Sequence, residues 1–135
     1  MSLITWNQEE FATNISTHDQ EHQEIFADLN DLHSAVASGD RAAVEAAGDK
    51  LLATVQSHFT AEEENLRKIG YADFAAHKAA HDELLDNCIQ LQKKFKAGEL
   101  DITAETTEFI KDWLTNHIPL VDRAYAEPLR AAGIN

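Results

Sequence analysis

Residues 73–95 read Asp73-Phe74-Ala75-Ala76-His77-Lys78-Ala79-Ala80-His81-Asp82-Glu83-Leu84-Leu85-Asp86-Asn87-Cys88-Ile89-Gln90-Leu91-Gln92-Lys93-Lys94-Phe95. Core-type residues fall at Phe74, His77, His81, Leu84, Cys88, Leu91 and Phe95. The steps alternate three and four, the interval at which side chains share one face of an α-helix. Sustained over six steps, that alternation predicts a helix packed inside a bundle. Two of the inward positions are histidines. An imidazole in an apolar core costs free energy unless its nitrogens find partners.

Working outward, glycines punctuate the chain at Gly39, Gly70 and Gly98. Before Gly39, Ile25, Phe26, Leu29, Leu32 and Val36 form a helical stripe whose start Ser16 or Thr17 can cap. Asp40 can cap the next helix, which carries Leu51, Leu52, Val55, Phe59, Leu66 and Ile69. Asp73 can cap the helix quoted above. Asp101 or Thr103 can start the last long helix, with stripe Thr106, Ile110, Trp113 and His117. Pro119 then lacks an N–H and is expected to kink or break it. Short connections favour antiparallel neighbours. The expected fold is all-α: an up-down-up-down antiparallel four-helix bundle, with an N-terminal arm over residues 1–14 and a short C-terminal helix to about Arg130. Residues 1–135 are read as one domain.

Composition agrees. The 135 residues carry 24 acidic and 11 basic side chains, a formal net charge of −13. Such a chain repels phosphates, which argues against nucleic acid or an anionic membrane surface as partner. Its apolar runs fall short of the roughly 20 residues a membrane span requires, and the start lacks the pattern of a signal peptide. Cys88 is the only cysteine, so there is no internal disulfide. A cytoplasmic monomer is expected.

The histidines decide the chemistry. His58 and Glu62 are four apart, as are His77 and His81, so each pair shares a helix face about 6 Å apart along the axis. Heights can be compared by treating each connection as a hairpin. His22 lies 17 residues before Gly39 and His58 lies 19 after it, roughly 26 and 28 Å from the turn. Glu62 and His77 lie eight before and seven after Gly70, roughly 12 and 10 Å away. His81 and His117 lie 17 before and 19 after Gly98, roughly 26 and 28 Å away. All four helices therefore place a nitrogen ligand at one level. Asp122 joins the set if the backbone distorts near Pro119, because five residues on an ideal helix would turn it away from His117.

Five imidazoles and two carboxylates exceed what one ion needs and suit two. Paired metal sites of this kind are built inside helical bundles. Two octahedral irons offer twelve positions. Five histidines, two bridging carboxylates and one bridging oxo or hydroxo group would fill eleven, leaving one for a small ligand. That count favours binding over oxygenation.

The chain resembles the hemerythrin family, in its single-domain bacterial form. The resemblance rests on the Trp6-bearing arm, His18-Asp19-Gln20-Glu21-His22, His58-Phe59-Thr60-Ala61-Glu62-Glu63, Gly70-Tyr71, His77-Lys78-Ala79-Ala80-His81, and Trp113-Leu114-Thr115-Asn116-His117 running on to Asp122. It implies two irons with an oxo or hydroxo bridge. His77, His81 and His117 would hold the saturated iron, His22 and His58 the other, and Glu62 and Asp122 would bridge. It further implies reversible dioxygen binding for storage, delivery or sensing, and no enzymatic activity. By position, Ile25, Phe59, Trp113 and Ile118 would wall the oxygen pocket. A di-iron enzyme acting on peroxide or nitric oxide is the alternative function; a helical interaction module holding zinc or no metal fits the ligand set less well. Any protein that accepts the oxygen is unidentified.

Other residues receive plainer readings. His18 is expected at the surface or behind the ligands, and His33 at an exposed or helix-end position. Tyr125 could reach the centre or simply pack. Trp6 is expected to pack the arm on the bundle, and Cys88 to be inert. Glu63 and Glu64 are read as solvent residues.

Overall fold

The computed structural model describes residues 3–134, so Met1 and Ser2 of the predicted arm lie outside the described residues. A short helix α1 (Gln8–Phe11) sits within the arm. Four long helices follow: α2 (Ser16–Ser38), α3 (Arg41–Lys68), α4 (Phe74–Lys96) and α5 (Ala104–Leu120). A 3-10 turn (Asp122–Tyr125) and α6 (Ala126–Ala131) complete the chain. α3 packs on α2 and on α4, and α5 packs on α2. This is the up-down-up-down bundle expected from the helical periodicity.

The turns show why the helices stop. Gly39 adopts φ +75°, a left-handed conformation in which its N–H reaches the Val36 carbonyl, and glycine enters that region without a Cβ clash. Asp40 follows at once, its side chain accepting from the Ala42 and Ala43 amides at 3.0 and 3.3 Å. Thr103 and Thr106 form a reciprocal capping pair at the start of α5.

Two capping expectations are corrected. Ser16 and Thr17 are already helical, and Ile15 occupies the cap position. The Asp19 carboxylate instead reaches back from the first turns of the helix and ties down the segment before it. It accepts from the Thr13 amide at 2.8 Å, the Thr13 hydroxyl at 2.7 Å and the Asn14 amide at 3.2 Å. Asp73 does precede α4, but its side chain makes no capping bond.

The core comes in two parts. A large apolar cluster includes Ile25 and Leu29 of α2, Val55 and Phe59 of α3, Leu84 of α4, and Leu114 and Ile118 of α5. A small one joins Ile15, Leu66, Tyr125 and Leu129. Each long helix, taken with the residues that flank it, passes from one cluster to the other through a polar stretch. On α2 that stretch holds His18 and His22; on α3, His58 and Glu62; on α4, His77 and His81; on α5 and the turn after it, His117 and Asp122. A buried polar belt therefore crosses the bundle between two apolar plugs.

The arm is pinned as expected. Trp6 packs on Phe11 and Phe26 with ring centroids 5.8 and 5.5 Å apart. The Asn30 amide accepts from the Leu3 and Ile4 amides and donates to the Ile4 carbonyl. On α5, the inward residue near the start is Thr107 rather than Thr106, and fully buried Leu114 replaces half-buried Trp113 as the core residue of that turn.

Asp19→Ala should leave the Thr13 and Asn14 amides without their acceptor. Urea titration should show a loss of about 1–3 kcal/mol, with helix content retained by circular dichroism.

Candidate metal centre

α3 supplies His58 and Glu62 one turn apart, and α4 supplies His77 and His81 at the same spacing. α2 brings His22 opposite them, and α5 brings His117 in its last turn. Pro119 lies in that last turn, and the chain leaves the α-helix at Val121 for the 3-10 turn. This change of path turns Asp122 inward, to 1% exposure. All seven predicted ligand residues are buried, the most accessible being His117 at 6%.

The two carboxylates divide their oxygens. Glu62 Oε1 faces His77 Nε2, which it meets at very short range, and His81 Nε2 at 3.2 Å. Glu62 Oε2 faces His58 Nε2 at 2.9 Å and His22 Nε2 at 3.7 Å. Asp122 Oδ1 approaches His117 Nε2 at 2.9 Å and His77 Nε2 at 3.3 Å, while Oδ2 approaches His22 Nε2 at 3.1 Å. One oxygen of each carboxylate thus serves a three-histidine group and the other a two-histidine group. Glu62 and Asp122 belong to both potential metal-holding groups.

Hydrogen bonding does not account for this arrangement. Nε2 of His22, His58, His81 and His117, and Asp122 Oδ1, are buried with no hydrogen-bond partner among the described residues. Burying that many polar atoms without partners costs about 1–3 kcal/mol each. Nitrogen and carboxylate donors converging on two points fit a pair of transition-metal ions, each taking imidazoles and one oxygen of each bridge.

The electrostatics without metal tell the same story. Burial favours neutral Glu62, but His58, His22 and His77 outweigh it and hold the carboxyl well below its ordinary range. Burial and the Glu62 charge favour neutral Asp122, yet the close approach of His117 and His22 keeps it low as well. Burial also opposes charge on His58, but Glu62 and the Glu21 hydrogen bond raise its pKa to about 10.

Behind the inner ring lie residues that sequence reading missed. His58 Nδ1 is 2.9 Å from Glu21 Oε1, and His81 Nδ1 is 2.9 Å from Glu63 Oε2. With the carboxylates accepting, each fixes its histidine with Nε2 turned to the centre, and such partners raise ligand basicity. Glu63 is therefore not the solvent residue expected, because α4 crosses close enough to bring His81 to it. Glu64 is exposed as expected. In a chain with 24 acids, no local signal marks out these two.

His18 is fully buried, not at the surface, and lies behind the inner ring between Tyr125 and Asn65. Tyr125 does reach the centre, its hydroxyl donating to Glu62 Oε2 at 3.0 Å. His33 is half-buried and meets Thr107 Oγ1 at 3.2 Å. Phe59 stacks face to face on His81 at 3.7 Å, and Trp113 stacks on His117 at 4.1 Å. Both rings thus brace the three-histidine group. Toward the large cluster lies an apolar cavity of about 40 Å³, lined among others by Ile25, Val55, Leu84, Cys88 and Leu114. Of the four predicted pocket residues, Ile25 lines it. Burial pushes the Cys88 thiol up to about 11, so it stays un-ionised at neutral pH.

Fold and site together define a class: four-helix bundles that carry a histidine and carboxylate site for two metal ions in the core. Comparison with known proteins narrows it. The profile of the hemerythrin HHE cation binding domain matches residues 13–127. A bacteriohemerythrin of Methylococcus capsulatus is 48% identical over 131 residues, covering 97% of this chain and all of that one. A hemerythrin of Siphonosoma cumanense is 31% identical over 115 residues, covering 85% of each. A crystal structure of wild-type hemerythrin superposes with TM-score 0.93 at 48% identity, covering 95% of this chain and 98% of that one. The chain belongs to the hemerythrin family.

Two outcomes follow from the geometry. Loading the metal-free protein with ferrous salt at pH 7 should expel protons, since His58 is protonated there and must lose its proton to bind; a weakly buffered titration reads this. Glu21→Gln and Glu63→Gln should each weaken metal affinity about 10–100-fold, measured by competition with a chelator.

Proposed function

We propose that this chain binds dioxygen reversibly at a pair of iron ions. His77, His81 and His117 hold one ion, His22 and His58 hold the other, and Glu62 and Asp122 bridge them. The observation that carries this reading is the split of each carboxylate, one oxygen to each histidine group. Bound there with an oxo or hydroxo bridge, an iron pair would supply a redox-active centre able to lend electrons to dioxygen, with one position for a small ligand.

The protein's own residues do the rest. The two apolar clusters exclude water from the polar belt, which strengthens every electrostatic interaction inside it. Phe59 and Trp113 hold the His81 and His117 rings by stacking. Ile25, about 1% exposed, lines the cavity that would admit a small apolar gas, while Ile118, Phe59 and Trp113 are not among its lining residues. The cavity lined by Ile25, Val55, Leu84 and Leu114 offers little to grip an organic substrate. This supports a carrier over a di-iron oxygenase that acts on an organic substrate; a di-iron enzyme acting on peroxide or nitric oxide is separated by the experiment below.

The use of the oxygen is storage, delivery or sensing. The 135 residues act as one domain, and a net charge of −13 keeps copies apart and favours a monomer. Among the described residues no helix is long and apolar enough to cross a membrane. We place the protein in the cytoplasm, where its one cysteine would stay reduced.

Anaerobic reduction followed by oxygen should produce a visible absorption band that disappears on deoxygenation and returns over repeated cycles. One-way oxidation with turnover of peroxide or nitric oxide would instead establish the enzyme. His77→Ala should drop iron content below two per chain by elemental analysis; retention of both irons would contradict the ligand assignment.

A further inference from the structure

Tyr125 is fully buried in the small apolar cluster, yet its hydroxyl reaches out of that cluster to Glu62 Oε2 at 3.0 Å. The same hydroxyl lies 2.9 Å from His18 Nδ1. The other nitrogen of His18 lies 3.0 Å from Asn65 Nδ2. His18 is 1% exposed, and Asn65 is half-buried on α3.

Counting hydrogens fixes the direction of this chain. A phenol has one hydrogen, and the ionised Glu62 carboxylate has none to give. The Tyr125 hydrogen therefore goes to Glu62 Oε2. His18 must then donate from Nδ1 to the Tyr125 oxygen, and its bare Nε2 accepts from the Asn65 amide. Each contact is satisfied once, and every hydrogen points toward Glu62. Hydrogen bonds aligned in this way polarise one another, so His18 makes Tyr125 a stronger donor.

The relay ends on one oxygen only. Oε2 is the arm of Glu62 that faces His58 and His22, whereas Oε1 faces His77 and His81. We propose that Asn65, His18 and Tyr125 form a positioning relay that locks the Glu62 bridge and draws charge from Oε2. The metal position held by His22 and His58 is thereby the more electron-poor of the two. A poorer carboxylate donor stabilises the lower oxidation state of the metal it binds. The relay thus protects the ferrous form on the side where the ligand set is smaller. The proposal rests on the functional reading above and adds a tuning device to it.

Variants in the whole chain test it. Tyr125→Phe loaded with two irons should show a lower midpoint potential and faster oxidation in air. His18→Leu should shift the potential the same way by less, because it acts through Tyr125. His18→Asn, which can place an amide donor near the Nδ1 position, should restore it. In the double variant the His18→Leu change should add nothing to Tyr125→Phe, whereas two independent packing defects would add. Nitrogen-15 NMR of the metal-free wild type should find His18 with its proton on Nδ1.

A proton on Nε2, or an unchanged potential in a two-iron Tyr125→Phe protein, would overturn the relay while leaving the functional reading intact. Wild type that never takes up two irons would overturn both. If Tyr125→Phe fails to hold iron, the comparison of His18→Leu with His18→Asn decides: equal potentials reject the relay, and rescue by asparagine upholds it.

Discussion

Two carboxylates and five imidazoles are buried at one level of a narrow bundle, and the rest of the fold answers to that constraint. Charges and unpaired nitrogens are costly inside a protein unless they compensate one another. Here each carboxylate meets imidazole nitrogens from more than one element, so neither Glu62 nor Asp122 is left alone. The remaining mismatch, nitrogens facing oxygens without hydrogen-bond geometry, is what a pair of metal ions would resolve. The favourable energy of such a site belongs to the assembled bundle, since no single helix carries enough ligands to bind two ions.

The helices behave as rods that present this belt at a fixed height. α3 and α4 each give a pair one turn apart, and α2 gives His22 from the opposite side. α5 gives His117 and then has to stop being a helix. Pro119 and the 3-10 turn after it let Asp122 and then Tyr125 enter the bundle from beyond the end of α5. One local break thereby supplies a bridging carboxylate and a hydroxyl that bonds to the other bridge. Continued α-helical rotation would have directed Asp122 away from the face His117 uses.

Outside the belt the two groups are treated differently. The three-histidine group is braced by aromatic faces, Phe59 on His81 and Trp113 on His117. Each group also has one carboxylate behind a histidine, Glu21 on His58 and Glu63 on His81, and the two-histidine side adds the Tyr125 hydroxyl on Glu62 Oε2. Stacking fixes ring position with little effect on charge, whereas hydrogen bonds shift electron density.

Much of this was legible in the sequence. Three-four spacing marks the side of each helix that turns inward, and helix rise of about 1.5 Å per residue puts the histidines at one level. Those are local, one-dimensional properties. The irregularity at Pro119 was legible as a possibility, because the missing N–H is a property of the residue itself. The partners across helix interfaces were not. That Glu63 serves His81 rather than water, that His18 is sealed between Tyr125 and Asn65, and that Leu114 rather than Trp113 fills the core depend on how neighbouring helices rotate and cross. Periodicity leaves that rotation uncertain by a good part of a turn, and only packing of the side chains from all the helices together settles it.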